Sequence, residues 1–245
     1  MPTATNGGVA LHYDREGSGE PVVCIPEAGT GAWLWSWQFP ALAGPFDAIA
    51  FDPRGTGRSD AADDYSLDAL VADVETVCRD AGAKKVHLVG CGLGGMVALA
   101  HARRHGRARS LTLFGTPATG EAVDTDALAR LFTEEWPEVA FSPDYPLERT
   151  RIERWREGDA DAETRTELFD TIREFDAGPL YELGVPALCL GGVADPVVPA
   201  STVEELADGL PRGRFEAVEG RHLCFAEHSA AVNDAISGFL ETHAT

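Results

Sequence analysis

The stretch VHLVGCGLGGMVALAHA, Val86 to Ala102, runs from strand-forming residues through a glycine-rich turn into a helical pattern. That is the layout of a nucleophile elbow, G-x-Nu-x-G, in which a sharp strand-to-helix turn lifts a reactive side chain clear of a sheet. Gly90 and Gly94 are the framing glycines, and the nucleophile position falls on Gly92. With no hydroxyl or thiol there, the acyl-enzyme route of serine hydrolases is closed. The turn itself is not endangered, because its tip needs a positive φ that glycine adopts most easily. Cys91, one residue earlier, is the other nucleophile to weigh. Placing it at the tip would make Val89 and Leu93 the framing residues, where small side chains are required. The sequence therefore favours Cys91 as a reduced, partly buried thiol.

A turn of this kind needs a strand before it, a helix after it and a sheet around both. Short apolar runs alternate with helical patterns, which predicts an α/β fold: a mostly parallel central sheet flanked by helices. Expected strands are Val9–Tyr13, Val22–Ile25, Asp47–Phe51, Lys85–Val89, Ser110–Phe114, Ala187–Leu190 and Arg214–Ala217. Expected helices are Leu67–Ala81, Leu93–His105, Val203–Gly209 and Ala230–Glu241. Asp68 and Asp73 fall early on the first helix, where its dipole favours them. Between Gly115 and Pro186 the rhythm becomes helical and acidic, which predicts core segments 1–115 and 186–245 separated by a helical cap, 116–185. Phe132, Trp136, Phe141, Trp155, Phe169 and Phe175 recur there at roughly helical spacing. Each by itself reads as cap-to-core packing; together they imply an apolar cleft, with Phe132 and Trp136 as substrate-binding candidates.

Four ordered segments resemble the α/β-hydrolase family. PVVCIPEAGTGAWLWSW (Pro21–Trp37) is a strand and loop where relatives carry H-G-x-G, and FDPRGTGRSD (Phe51–Asp60) looks like D-x-R-G-x-G-x-S. The glycine elbow is the third. The pair LCLGGVADPVVP (Leu188–Pro199) and VEGRHLCFAEH (Val218–His228) is the fourth. The resemblance spans nearly the whole chain except the cap. It implies that Asp195 is the triad acid, orienting the imidazole of His222, the catalytic histidine. It also implies an oxyanion hole from the N–H groups of Ala28 and Leu93. Loss of the serine side chain would leave a small void beside His222.

The loop departs from the family as well, since Pro26 and Glu27 stand in place of His-Gly. A carboxylate at Glu27 opposes developing negative charge unless it points away or is protonated. It reads either as a second acid–base group beside His222 or as a solvated loop residue. Asp52 and Arg54 are expected to brace their loop. Trp33, Trp35 and Trp37 read either as cleft lining or as core packing. His87 is expected to be structural, and His101, His105, His228 and His243 carry no catalytic context.

The 245-residue chain has 40 acidic and 20 basic side chains, a formal charge of −20. That balance argues against nucleic acid and anionic membranes as partners. No signal-peptide pattern or membrane-length apolar run is visible, and the five cysteines form no CxxC pair, so a reduced, cytoplasmic protein is expected. No metal cluster, dinucleotide fingerprint or phosphate loop is evident, and no cofactor is expected. Some relatives in this fold are carbon–carbon bond hydrolases, lyases or cofactor-independent oxygenases. By that resemblance, a His222–Asp195 dyad without a serine would act as general acid/base on an apolar or aromatic small molecule, in C–C cleavage, elimination, cyclisation or hydration. The alternatives are a non-catalytic binding protein of the same fold, and a serine esterase inactivated by a Ser-to-Gly change.

Overall fold

The computed structural model describes residues 2–244. Among the described residues eight strands, β1 (Thr3–Asn6), β2 (Val9–Glu16), β3 (Pro21–Ile25), β4 (Asp47–Phe51), β5 (Val86–Cys91), β6 (Ala108–Phe114), β7 (Ala187–Gly192) and β8 (Gly213–Val218), form one sheet. Their order is β1-β2-β4-β3-β5-β6-β7-β8. The pairs β1–β2 and β2–β4 are antiparallel and the rest are parallel. β4, β5 and β7 are buried along their whole length, as parallel strands covered on both faces must be, and this is why they read as unbroken apolar runs.

The helices are α1 (Phe39–Leu42), α2 (Leu67–Asp80), α3 (Leu93–His105), α4 (Thr125–Arg130), α5 (Trp136–Ala140), α6 (Arg149–Trp155), α7 (Ala162–Arg173), α8 (Ala200–Gly209), α9 (Cys224–Glu227) and α10 (Ser229–Thr242). α2 starts where Ser66 Oγ accepts the Ala69 N–H at 3.3 Å, and α3 ends at Gly106 in the left-handed region. The helices α4 to α7 all lie between β6 and β7. Two backbone bonds tie that segment to the chain before α9: His222 N donates to Val139 O and Leu223 N to Ala140 O.

The order β4-β3-β5 makes β3 the switch point of the sheet, because the chain leaves it towards one edge and later returns on its other side. In open α/β sheets a crevice opens beyond the carboxyl ends of strands at such a point. Glu27 closely follows β3 and Gly92 immediately follows β5. The two departures noted in the sequence thus stand side by side at the crevice.

A buried ion pair braces this region. Arg54 grips Asp73 on α2 through Nε and Nη2, at 2.6 and 2.7 Å, and both side chains are almost fully buried. Asp73 is therefore held by a guanidinium, and by Asn6 Nδ2 at 2.7 Å, rather than by the helix dipole that its position suggests. Asp52 Oδ1 accepts the Ala32 N–H at 2.9 Å and so ties the end of β4 to the loop that carries Glu27. Strand β1 and the short helices α1 and α9 lie outside the elements expected from the sequence, since each is only 4 residues long.

Removing one partner of a buried, hydrogen-bonded pair leaves a stranded charge and costs about 3–5 kcal/mol. Arg54→Ala should lose that amount in urea denaturation, whereas Arg54→Met combined with Asp73→Leu should lose much less. Equal losses in the two proteins would show that the charge is not what braces the loop.

Candidate active site

Gly92 takes φ 51° and ψ −114° between the end of β5 and the start of α3, a region closed to most L-residues. Its neighbours are small because backbone crowds them. A Cβ at Gly90 would run into the Gly94 carbonyl, and one at Gly94 into the carbonyls of Ile25 and Pro26. At Gly92 the obstacle differs: a Cβ there would overlap the carboxylate of Glu27. Glu27 is 2% exposed, so it is not a solvated loop residue. Nor is there a void beside His222, because this carboxylate occupies the space.

Both oxygens of Glu27 are committed. Oε1 accepts the Ala28 N–H at 2.6 Å and the Leu93 N–H at 3.0 Å. These are the two donors expected to form an oxyanion hole, and here they hold a side chain of the same chain. Oε2 lies 3.1 Å from His222 Nε2. On the other side of the ring, His222 Nδ1 lies 3.1 and 3.0 Å from the two oxygens of Asp195. Asp195 Oδ1 also accepts the N–H groups of Val197 at 2.8 Å and Val198 at 3.2 Å. The turn after β7 thus aims the acid, the segment after β8 supplies the imidazole, and the loop after β3 closes the row as Asp195–His222–Glu27.

Burial disfavours a charged imidazole at His222, but the adjoining Asp195 and then Glu27 carboxylates outweigh it and push its pKa up to about 10. The two flanking carboxylates thus favour the doubly protonated ring, with each nitrogen facing a carboxylate. The lone pair that a neutral histidine could carry on Nε2 faces the Glu27 carboxylate 3.1 Å away, which favours a proton there.

Cys91 ends β5 with no exposed surface, and burial, then the Glu27 and Asp195 carboxylates, drive its thiol well above the usual range. A thiolate is thus disfavoured there, and the thiol is fully rather than partly buried because it ends a central strand of the sheet. The sequence spacing shows no metal cluster, yet the fold gathers ligand-type atoms of Glu27, Cys91 and His222 within 4.8 Å of one another. A cation held by that trio would have to displace the proton on Nε2 and the one on the thiol.

Two narrow cavities flank Glu27. One, of about 30 Å³, is lined by aliphatic groups including Ile25, Leu70, Val74, Leu93, Val97 and Leu168. The other, of about 20 Å³, brings together Trp33, Phe132 and Trp136 with Thr30, Leu131 and Arg156. Each has room for roughly one or two water molecules. Trp33, Phe132 and Trp136 are thus placed at the site, whereas Trp35 stacks on Phe225 at 5.3 Å in the core and Trp37 packs edge-on against Trp155. Arg156 lies 4.8 Å over the Trp136 ring and pairs with Asp159, which also accepts the Trp33 Nε1–H at 2.7 Å. Nothing local in the sequence marks Arg156 or Asp159 as members of the site. His87 is structural: its ring nitrogens face Ser110 Oγ at 2.7 Å and Glu20 at 3.1 Å.

A mostly parallel sheet with its strand ends carrying an acid, a histidine and a glycine-framed turn defines the α/β-hydrolase class of fold. A sequence profile of the α/β hydrolase fold matches residues 20–157, and the chain belongs to that family. It is similar to a protein of Azorhizobium caulinodans provisionally named as a carbamate hydrolase, with 27% identity over 98% of each chain. It is also similar to 3-oxoadipate enol-lactonase 1 of Acinetobacter baylyi, with 26% identity over 90% of this chain and 88% of that one. Among solved structures, a hydrolase from Pseudomonas aeruginosa superposes with a TM-score of 0.85 at 26% identity, over 97% of this chain and 96% of that one.

Gly92→Ala adds backbone strain and a clash with Glu27, so it should cost at least about 2 kcal/mol. With Glu27→Ala in the background the clash vanishes and the added cost should shrink, giving a double-mutant cycle that is clearly non-additive in denaturant titrations. Additive losses would separate the two positions. The row should also make stability depend on pH. The unfolded-state pKa of histidine is about 6.5, and the folded one is raised. His222 therefore contributes stability that is fully present below about pH 6.5 and lost as the pH rises through about 10. Tm should fall across that window, and more steeply than in His222→Gln; parallel slopes would refute the imidazolium.

Proposed function

We propose that this chain is a hydrolase-type enzyme that works without a serine nucleophile, through proton transfer along the row Asp195–His222–Glu27. The observation that carries this reading is the Glu27 carboxylate, seated opposite Gly92 and 3.1 Å from His222 Nε2. A carboxylate in that place accepts a proton from water or substrate, while the protonated His222 donates one to the leaving group. The dyad expected from the sequence thus gains a third member, and the base moves from His222 to Glu27. Hydration and hydrolytic cleavage use this pair directly. C–C cleavage, elimination and cyclisation would draw on the same two protons. The cavity linings support a small apolar or aromatic substrate. Since both cavities are small, the helical segment between β6 and β7 must shift to admit it. The named relatives, one provisionally named as a carbamate hydrolase and the other an enol-lactonase, support hydrolysis as the broad reaction class.

The alternative of a serine esterase silenced at one position is disfavoured by the overlap of any residue-92 side chain with Glu27. The substitution Gly92→Ser alone would not rebuild a serine hydrolase. A non-catalytic binding protein is the second reading, yet it would have no use for a buried carboxylate–imidazolium–carboxylate row, whose desolvation is costly.

A panel of small apolar esters, lactones and epoxides tests the proposal. With the best substrate, Glu27→Gln and His222→Ala should each lower kcat by roughly 10²–10⁴-fold, the usual share of a positioned acid or base. Unchanged turnover in either variant sinks the mechanism. Saturable binding with no product from any compound would favour the binding protein.

A further inference from the structure

We infer that Glu27, Cys91 and His222 form a binding site for a thiophilic divalent cation, Zn²⁺ by its ligand set, and that the bound ion switches off proton transfer along the row. The site stands on geometry; only the switching rests on the proposed function.

Three ligand types converge here, since Glu27 follows β3, Cys91 ends β5 and His222 follows β8. A carboxylate oxygen, a sulfur and an imidazole nitrogen of these residues lie within 4.8 Å of one another. Glu27 Oε2 and His222 Nε2 are 3.1 Å apart. Two nitrogen or oxygen ligands of a tetrahedral zinc ion stand about 3.3 Å apart, and sulfur stands about 3.6 Å from either. The row therefore opens slightly, and the thiol approaches by no more than about 1.2 Å.

The ligands are also supported from behind. Glu27 Oε1 stays on the N–H groups of Ala28 and Leu93, which leaves Oε2 to the ion. His222 Nδ1 faces Asp195, the outer carboxylate that fixes the ring of a metal-bound histidine and raises its basicity. The water-sized cavities beside Glu27 offer a water as the fourth ligand.

The exchange of protons for the ion conserves charge. Two carboxylates, an imidazolium and a neutral thiol leave one negative charge. A divalent ion displaces two protons, from Nε2 and from the thiol, and both leave to solvent. Two carboxylates, a neutral imidazole, a thiolate and the ion again leave one negative charge, so the buried cluster gains none. A thiol that resists ionisation by itself gives up its proton to a coordinating metal.

The mixture of thiolate and imidazole favours zinc over Mg²⁺ and Ca²⁺, which take several oxygen ligands. Glu75, His101 and His105 also gather ligand-type atoms. There, however, the guanidinium groups of Arg79 and Arg107 already hold Glu75 at 2.7 and 3.0 Å, and two fixed cations oppose a third. At the strand-end site the ion takes Glu27 Oε2 and His222 Nε2, the atoms that move protons in the proposed mechanism. Metal binding and turnover thus exclude each other.

Titration of chelator-treated full-length protein with Co²⁺, a coloured probe of zinc sites, tests this. The expected result is one ion per chain and a thiolate-to-cobalt charge-transfer band in the near ultraviolet, bleached when Zn²⁺ displaces Co²⁺ and unaffected by Mg²⁺. Cys91→Ser should remove the band. Asp195→Asn should weaken binding about 10–100-fold while keeping the band, as a partner of a ligand does, and Glu27→Gln and His222→Gln should weaken it at least as much. No charge-transfer band from the wild-type protein overturns the site. Binding that survives Cys91→Ser unweakened and is lost in His105→Ala places the ion at the other cluster and overturns it equally. Neither result touches the proton-transfer mechanism, which is measured on metal-free protein. With a substrate in hand, Zn²⁺ should suppress turnover in proportion to occupancy and a chelator should restore it. Full turnover with the site occupied overturns the switch, and the proton-transfer mechanism with it.

Discussion

One carboxylate governs this site. Glu27 occupies the volume that a side chain at residue 92 would need, accepts the N–H groups of Ala28 and Leu93 on one oxygen, and faces His222 with the other. Gly92 and Glu27 are therefore sterically coupled, since the carboxylate fits where it does only because residue 92 has no side chain. The row is also electrostatically closed. An imidazolium between two carboxylates would be expensive to bury if the outer lone pairs were bare, and here backbone N–H groups of Ala28, Leu93, Val197 and Val198 meet them.

The fold makes that row possible by bringing three strand ends to one crevice. The loop after β3 carries Glu27, the turn after β5 presents Gly92 and the Leu93 N–H, and the turn after β7 carries Asp195. Around them, Asp52 fixes the start of the loop beyond Glu27, and the buried Arg54–Asp73 pair fixes the loop that holds Asp52 against α2. From the other side, His222 is hydrogen-bonded through its backbone to the segment containing α5. The position of the imidazole is thus tied to the position of that segment.

Much of the frame is legible in the chain. Buried parallel strands show as apolar runs, and α3 begins and ends where the sequence places it because Gly92 and Gly106 punctuate it. Strand β1 is not legible: its four residues carry no alternation, and its strand character comes from pairing with β2. Asp73 misleads because it lies beyond the first turn of α2, where the dipole has faded, and awaits an arginine from another loop that its own neighbours do not announce. Arg156 and Asp159 are invisible for a similar reason, since their partners at the site are distant in sequence.

What the sequence by itself determined is the family layout: a glycine-framed turn without a nucleophile, an acid and a histidine in the expected order, and an unexpected Pro26-Glu27. Each of these is a local fact about residue type and spacing. Whether Glu27 turns outward to water or inward to His222 is not local. It depends on a vacancy at Gly92, 65 residues further along the chain, and on two N–H groups from separate segments converging on one oxygen. Only the tertiary structure brings those together, because parallel strands place the ends of distant segments side by side at the switch point. The sequence places a glycine at the turn; the packing of the sheet decides that the Glu27 carboxylate lies against it.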